Sequence, residues 1–191
     1  PSVYVCFPLL DEANTSLLVW TTTPWTLPNN QFAAVHPDLD YVTVRDEQSG
    51  ERLVLAAALW QTIAEKAKRT FHVEETRPGS ALLGKRYRPP FDYYYAADGA
   101  RQGRLRSGGR DYIAWRVIAA DFVTVDSGTG VVHREWGFNG SAVASLRFPR
   151  RTPYRRAAAH TPPSPRLRSA DHHGALAVAS EEVALVGAVT V

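Results

Sequence analysis

Methionine is absent from the 191 residues, and cysteine occurs once, as Cys6. A lone thiol excludes an internal disulfide and a zinc site built from several cysteines. No run of about 18 apolar residues occurs, which excludes a transmembrane helix. The opening stretch, PSVYVCFPLL, has no basic residue and so lacks the charged start of a secretory signal. A chain without methionine that opens on proline is expected to be a piece of something longer. What is present is ordinary for a globular protein: 45% hydrophobic, 21% charged and 10% aromatic residues, enough for one domain with a real core.

The net charge of +3 is unevenly spread. Residues 1–133 hold 14 Lys and Arg against 15 Asp and Glu, whereas residues 134–191 hold 8 Arg, no Lys and 4 acids. An excess made of arginine alone suits phosphate binding. It is also what a GC-rich segment never selected as protein would encode.

Residues 1–133 read as many short strands and one helix. Ser2–Phe7 alternates like a half-buried strand, and Ser16–Trp20 is a short apolar run with the Asp11–Asn14 turn before it. Gln31–His36, Tyr41–Arg45, Arg52–Leu55 and Phe71–Thr76 are further strands. Ala56–Arg69 is a helix with Leu59, Trp60, Ile63, Ala64 and Ala67 on one face. Arg101–Arg110 reads as a flexible basic loop. Arg116–Val125 and Gly130–His133 resume strand character around a Ser127–Gly130 turn. The pattern predicts a β-rich α+β fold, barrel-like or a sandwich, with a peripheral helix.

Two segments carry candidate chemistry. Trp20–Asn30 reads WTTTPWTLPNN: Pro24 and Pro28 fix the backbone at two points and remove two donors. The stiffened turn presents the hydroxyls of Thr21, Thr22, Thr23 and Thr26 together with backbone N–H groups. Such an array can hold a polar substrate or a water without any titratable group. A threonine-rich edge strand followed by a proline-stiffened turn has the same wording. In Asp126–His133, DSGTGVVH, two glycines allow a tight turn and a short strand delivers His133. That histidine suits a general base or a hydrogen-bond donor; it also suits a satisfied, partly buried structural histidine.

Taken together, the Trp20–Pro28 string, Asn30, Asp121–Val125 (DFVTV) and Gly128–His133 (GTGVVH) resemble the editing domain of isoleucyl-tRNA synthetase. That domain is the connective-peptide-1 insertion of this class I enzyme. Gly79-Ser80, Leu82–Tyr87 and Pro90–Tyr94 resemble its middle segment, and the wording looks most like the eukaryotic cytosolic type. The resemblance covers residues 1–133. It implies a barrel-like editing domain that hydrolyses valyl-tRNA(Ile). The first sieve fails because one methylene is worth only about 1–3 kcal/mol in an apolar pocket, a figure known from this same family of enzymes. The resemblance further implies that Thr22, Thr23 and His133 are catalytic and that Thr21, Trp25 and Asn30 bind the substrate. It implies no metal and no cofactor for editing, with ATP bound elsewhere in the parent synthetase. The partners implied are the 3′ end of tRNA(Ile) and the remainder of the synthetase, not a membrane or DNA. The location implied is cytoplasmic.

Past His133 the wording departs from the family. Relatives continue with Ala-Pro and an aspartate nine residues beyond the histidine, which binds the substrate's α-ammonium group; here that position is Ala142. Residues 134–191 are rich in Arg, Ala and Pro, without a helical or strand period. They are expected to be an atypical tail, disordered or derived from a frameshift or a retained intron, and codons for Arg134–Trp136 can contain a splice-donor string. Asp171-His172-His173 is a poor metal site, since adjacent residues rarely face one ion. The reading is a synthetase fragment with an editing domain impaired by the missing aspartate. The alternative is a non-catalytic β-rich module whose tail binds RNA through Arg147, Arg150, Arg151, Arg155, Arg156, Arg166 and Arg168.

Overall fold

In the computed structural model the described residues are 2–92, 94–105 and 109–135, with the two-residue strands 146–147, 175–176 and 185–186. Of residues 134–191, expected to be a tail, only 134–135 and those three strands are described; Ala142 and the Asp171–His173 cluster lie outside the described residues.

Apolar runs punctuated by turn residues form β1 (Val3–Pro8), β2 (Thr15–Thr21), β3 (Asn30–Val35), β4 (Asp40–Asp46) and β5 (Arg52–Ala56). They are followed by α1 (Trp60–Ala67), β6 (Phe71–Pro78), a short α2 (Tyr95–Asp98), β7 (Gln102–Leu105), β8 (Arg110–Tyr112), β9 (Arg116–Ala119) and β10 (Val132–Glu135). The two-residue strands are β11 (Leu146–Arg147), β12 (Ala175–Leu176) and β13 (Leu185–Val186). The largest sheet runs β12-β13-β1-β2-β5-β4-β6, and two smaller ones run β10-β3-β9 and β11-β7-β8. The fold is β-rich with few helices, as expected. The described sheets pack on one another and do not close into a barrel.

β1, β2 and β5 are buried on both faces, which explains why β1 is not the half-buried strand that its alternation suggests. Odd positions of β1 and β2 (Val5, Phe7, Leu17, Val19) join Val54 and Ala56 of β5 in a core shared with Ala33, Val35 and Val117 of the β3 sheet. Even positions (Tyr4, Cys6, Leu18) join Leu53 and Leu55 beneath Ile63 of α1. At about 25 cal/mol per Å² of apolar surface, each buried Leu, Val or Phe contributes roughly 1.5–3 kcal/mol against chain entropy.

Three elements differ from the sequence expectation. The helix is shorter because Ala56 completes β5, its N–H bonded to the Thr129 carbonyl at 2.8 Å. It stops at Lys68, which adopts the left-handed conformation (φ 51°), a common helix terminator. The basic stretch 101–110 is not simply a loop: Gln102, Gly103 and Arg104 pair with Tyr112, Asp111 and Arg110 in a hairpin. Strand after Arg116 ends at Ala119, and Asp121–Val125 is turn and loop.

Candidate active site

Strand parity places the two candidate segments face to face. Thr21 continues the odd face of β2, the face turned to the β3 sheet. In that sheet His133 of β10 lies opposite Ala33 of β3. Cross-strand partners share a face, so the imidazole points at the end of β2. Pro24–Asn29 follows as a 3-10 helix with proline at its start, where the missing N–H costs nothing.

The histidine and the threonines meet directly. His133 Nε2 lies 3.1 Å from Thr21 Oγ1 and 3.2 Å from Thr26 Oγ1. Thr23 Oγ1 lies 3.3 Å from Thr21 Oγ1 and 3.4 Å from Thr26 Oγ1. The Thr26 hydroxyl donates to the Thr23 carbonyl at 2.7 Å, and the Thr23 N–H donates to Thr21 Oγ1 at 3.1 Å. The Thr26 N–H also bonds the Thr23 carbonyl. The turn's N–H groups at Thr23 and Thr26 are therefore used within it, contrary to the expectation of an open donor array. His133 is buried, and its Nδ1 has no hydrogen-bond partner among the described residues.

The segment bearing His133 is latched to the large sheet. The Tyr41 hydroxyl donates to the Gly130 carbonyl at 2.6 Å. Gly128 and Gly130 have φ of +77° and +72°, and a Cβ there would fall 2.7 Å from Trp20 Cε3 and 2.4 Å from Ala56 Cβ respectively. Glycine is required at both by conformation and by space.

This construction, with a threonine turn and a histidine strand 112 residues apart, has counterparts in known proteins. The chain is 39% identical over 133 residues to isoleucine–tRNA ligase of Bdellovibrio bacteriovorus, a match covering 70% of this chain and 12% of that protein. It is 38% identical over 134 residues to the cytoplasmic enzyme of Mus musculus, covering 70% and 10%. Over about 70% of its length the chain is similar in sequence to isoleucine–tRNA ligases. It spans about a tenth of the length of those ligases, and bacterial and cytoplasmic ligases match it at nearly the same identity. Its fold is that of the crystal structure of GlLeuRS-CP1, with a TM-score of 0.53 at 16% identity over 70% of this chain and 54% of that one. No family model matches.

The expected site residues divide into two groups. Thr21, Thr23 and His133 come together. Thr26, named in the sequence only as one hydroxyl of the turn, is the second partner of His133. Its place after Pro24, within one 3-10 turn, is the signal that brings it back toward Thr23. Thr22 is exposed and Trp25 is 72% exposed; neither belongs to the hydrogen-bonded cluster. Asn30 is buried, with Nδ2 donating to the Phe32 carbonyl at 3.1 Å and Oδ1 accepting from the Tyr87 hydroxyl at 2.7 Å.

Desolvation by burial lowers the His133 pKa below the ordinary imidazole value, with Glu135 raising it and Arg134 lowering it. Burial thus favours the neutral imidazole. Burial raises the Cys6 thiol to about 12, Glu51 adding to the rise and Arg69 opposing it, so this chain's one cysteine is no nucleophile. Among the described residues no three His, Cys, Asp or Glu side chains gather as metal ligands, and no helix is long and apolar enough to cross a membrane.

Proposed function

We propose that residues 1–133 carry the proofreading site of an isoleucine–tRNA ligase and hydrolyse the ester of valyl-tRNA(Ile). The observation that supports this best is the direct hydrogen bonding of His133 to the Thr21–Thr26 turn. Two motifs distant in sequence form one neutral, hydroxyl-rich site. Thr22, Thr23 and His133 are the groups assigned to the reaction: they place a water against the ester carbonyl, and hydroxyls stabilise the developing oxyanion. Thr21, Trp25 and Asn30 are assigned to substrate binding, Asn30 by holding the pocket wall through Tyr87 and Phe32. The exposed ring of Trp25 offers a stacking face to the terminal nucleotide. Isoleucine is excluded by size. This chemistry uses no metal and no cofactor, and ATP belongs to the aminoacylation site of the parent ligase. The partners are the tRNA(Ile) 3′ end and the rest of the synthetase, in the cytoplasm.

Ala142, where relatives carry the aspartate for the α-ammonium group, leaves the substrate without its counter-charge. The 191-residue chain is therefore expected to deacylate valyl-tRNA(Ile) more slowly than an intact editing domain, and Thr22→Ala/Thr23→Ala to abolish what remains. Release of labelled valine measures both. A rate equal to that of the intact domain rejects the impairment, and activity unchanged by the double substitution rejects the site.

A further inference from the structure

His133 presents one ring nitrogen to the cluster, and the direction of the hydrogen bonds decides what that nitrogen carries. A hydroxyl has one proton to give. That of Thr26 goes to the Thr23 carbonyl at 2.7 Å. The Thr26 oxygen can therefore only accept from His133 Nε2, 3.2 Å away. A bare Nε2 would set its lone pair against that of Thr26 in a buried place, where an unmade hydrogen bond is most costly. Thr21 Oγ1 accepts the Thr23 N–H; with Nε2 protonated by the Thr26 constraint, Thr21 Oγ1 accepts from it at 3.1 Å and its own proton is free for Thr23 Oγ1 at 3.3 Å. Nδ1 has no partner among the described residues, so nothing on that side of the ring competes.

We propose that Thr26 is a positioning residue that locks His133 in its Nε2–H tautomer. The single Nε2–H is then shared between Thr26 and Thr21, the Thr21 proton runs to Thr23, and the Thr23 hydroxyl, whose remaining acceptor in the cluster is Thr26 Oγ1 at 3.4 Å, is the donor that can turn to whatever occupies the site. Under the hydrolytic reading above, on which this last step rests, His133 is a hydrogen-bond donor and takes no proton from water. Thr23 donates to the ester oxygen as negative charge grows there. The ionisable neighbours of His133 on its own strand are Arg134 and Glu135. The elements packed against that strand, Thr15–Thr21, Pro24–Asn29 and Asn30–Val35, contain no ionisable residue.

The test is nitrogen-15 NMR of the imidazole in the full 191-residue chain, above its titration point, without any substrate. The expected spectrum has the proton on Nε2 and a pyridine-type Nδ1. Thr26→Ser should keep it, and Thr26→Val should shift population toward Nδ1–H. A wild-type ring protonated on Nδ1 overturns the assignment, even where Thr26→Val fails to fold. An unchanged tautomer in folded Thr26→Val overturns the role of Thr26. A separate arm follows deacylation against pH. Imidazolium retains its Nε2–H, so the log rate should pass the titration point measured by NMR without a change of slope; a break there would mark His133 as a base. Loss of all hydrolysis with the tautomer intact rejects the hydrolytic reading alone.

Discussion

Asn30 joins three segments through a single residue. Its amide meets Tyr87 and Phe32, and its carbonyl accepts the Trp115 indole N–H at 3.0 Å. Tyr87 is fully buried and stacks on Phe7 with ring centroids 5.0 Å apart. Asn30→Ala should therefore destabilise the protein by about 1–3 kcal/mol, because the Tyr87 hydroxyl is left as a buried donor without an acceptor. Urea unfolding checks this. Asn30→Ala/Tyr87→Phe should lose less than the sum of the single changes, since it removes both ends of the bond. A residue assigned to the substrate by resemblance is thus also a structural junction, and activity losses at position 30 should be read beside the unfolding midpoint. His133 has the converse character: its partners are hydroxyls at the site, and one ring nitrogen is given up to burial.

At the scale of elements, the Gly128–Gly130 turn governs how β10 reaches β2. Gly130→Ala would press a Cβ against Ala56 in a left-handed conformation. The expected cost is about 1–3 kcal/mol from overpacking alone. Gly50 is the control, since its φ is +73° and nothing lies within 4 Å of its would-be Cβ. Gly50→Ala should cost only the backbone strain, about 1–2 kcal/mol. Chemical denaturation of the two variants separates clash from strain, and a Gly130 variant no worse than the Gly50 one rejects the close packing. Which elements were legible beforehand follows from the range of their contacts. β1, β2, β4 and β5 announce themselves through local apolar runs and turns. The β7–β8 hairpin does not, because its Arg- and Gly-rich wording lacks an apolar face. Nor does the burial of β1 on both sides, which depends on α1 and on a sheet assembled from distant segments. The candidate site was legible as two motifs through their resemblance to a family. The bond from Thr26 to His133 needed the register of β10, which no local pattern carries.

At the scale of the whole molecule, one ion cluster spans the large sheet. Glu12, in the β1–β2 turn, receives both Arg77 nitrogens of β6 at 2.9 and 3.0 Å and Lys85 Nζ at 2.6 Å. Between β2 and β6 in that sheet lie β5 and β4, so the cluster ties its middle to its edge. Hydrogen bonding from Arg77 is the main cause lowering the Glu12 carboxyl to about 2, with Lys85 adding to it and burial opposing. A carboxyl whose pKa is depressed on folding stabilises above its unfolded value and loses that contribution as pH falls through the folded one. Stability should accordingly decline between about 4.5 and about 2 in the wild type, and decline less steeply over that window in Glu12→Gln. Unfolding midpoints at several pH values measure the difference, and parallel curves would reject it.

β3 sits in the middle of its sheet, between β10 and β9, and all six of its residues are buried. Neither neighbour exists when β3 leaves the ribosome: the bond between Asn30 and Trp115 already spans 85 residues. At about 5–20 residues per second of synthesis, this strand waits on the order of ten seconds with both edges bare. A nascent chain stalled before residue 116 would display an apolar strand with nothing to pair with, and that is the length at which holding by a chaperone matters most.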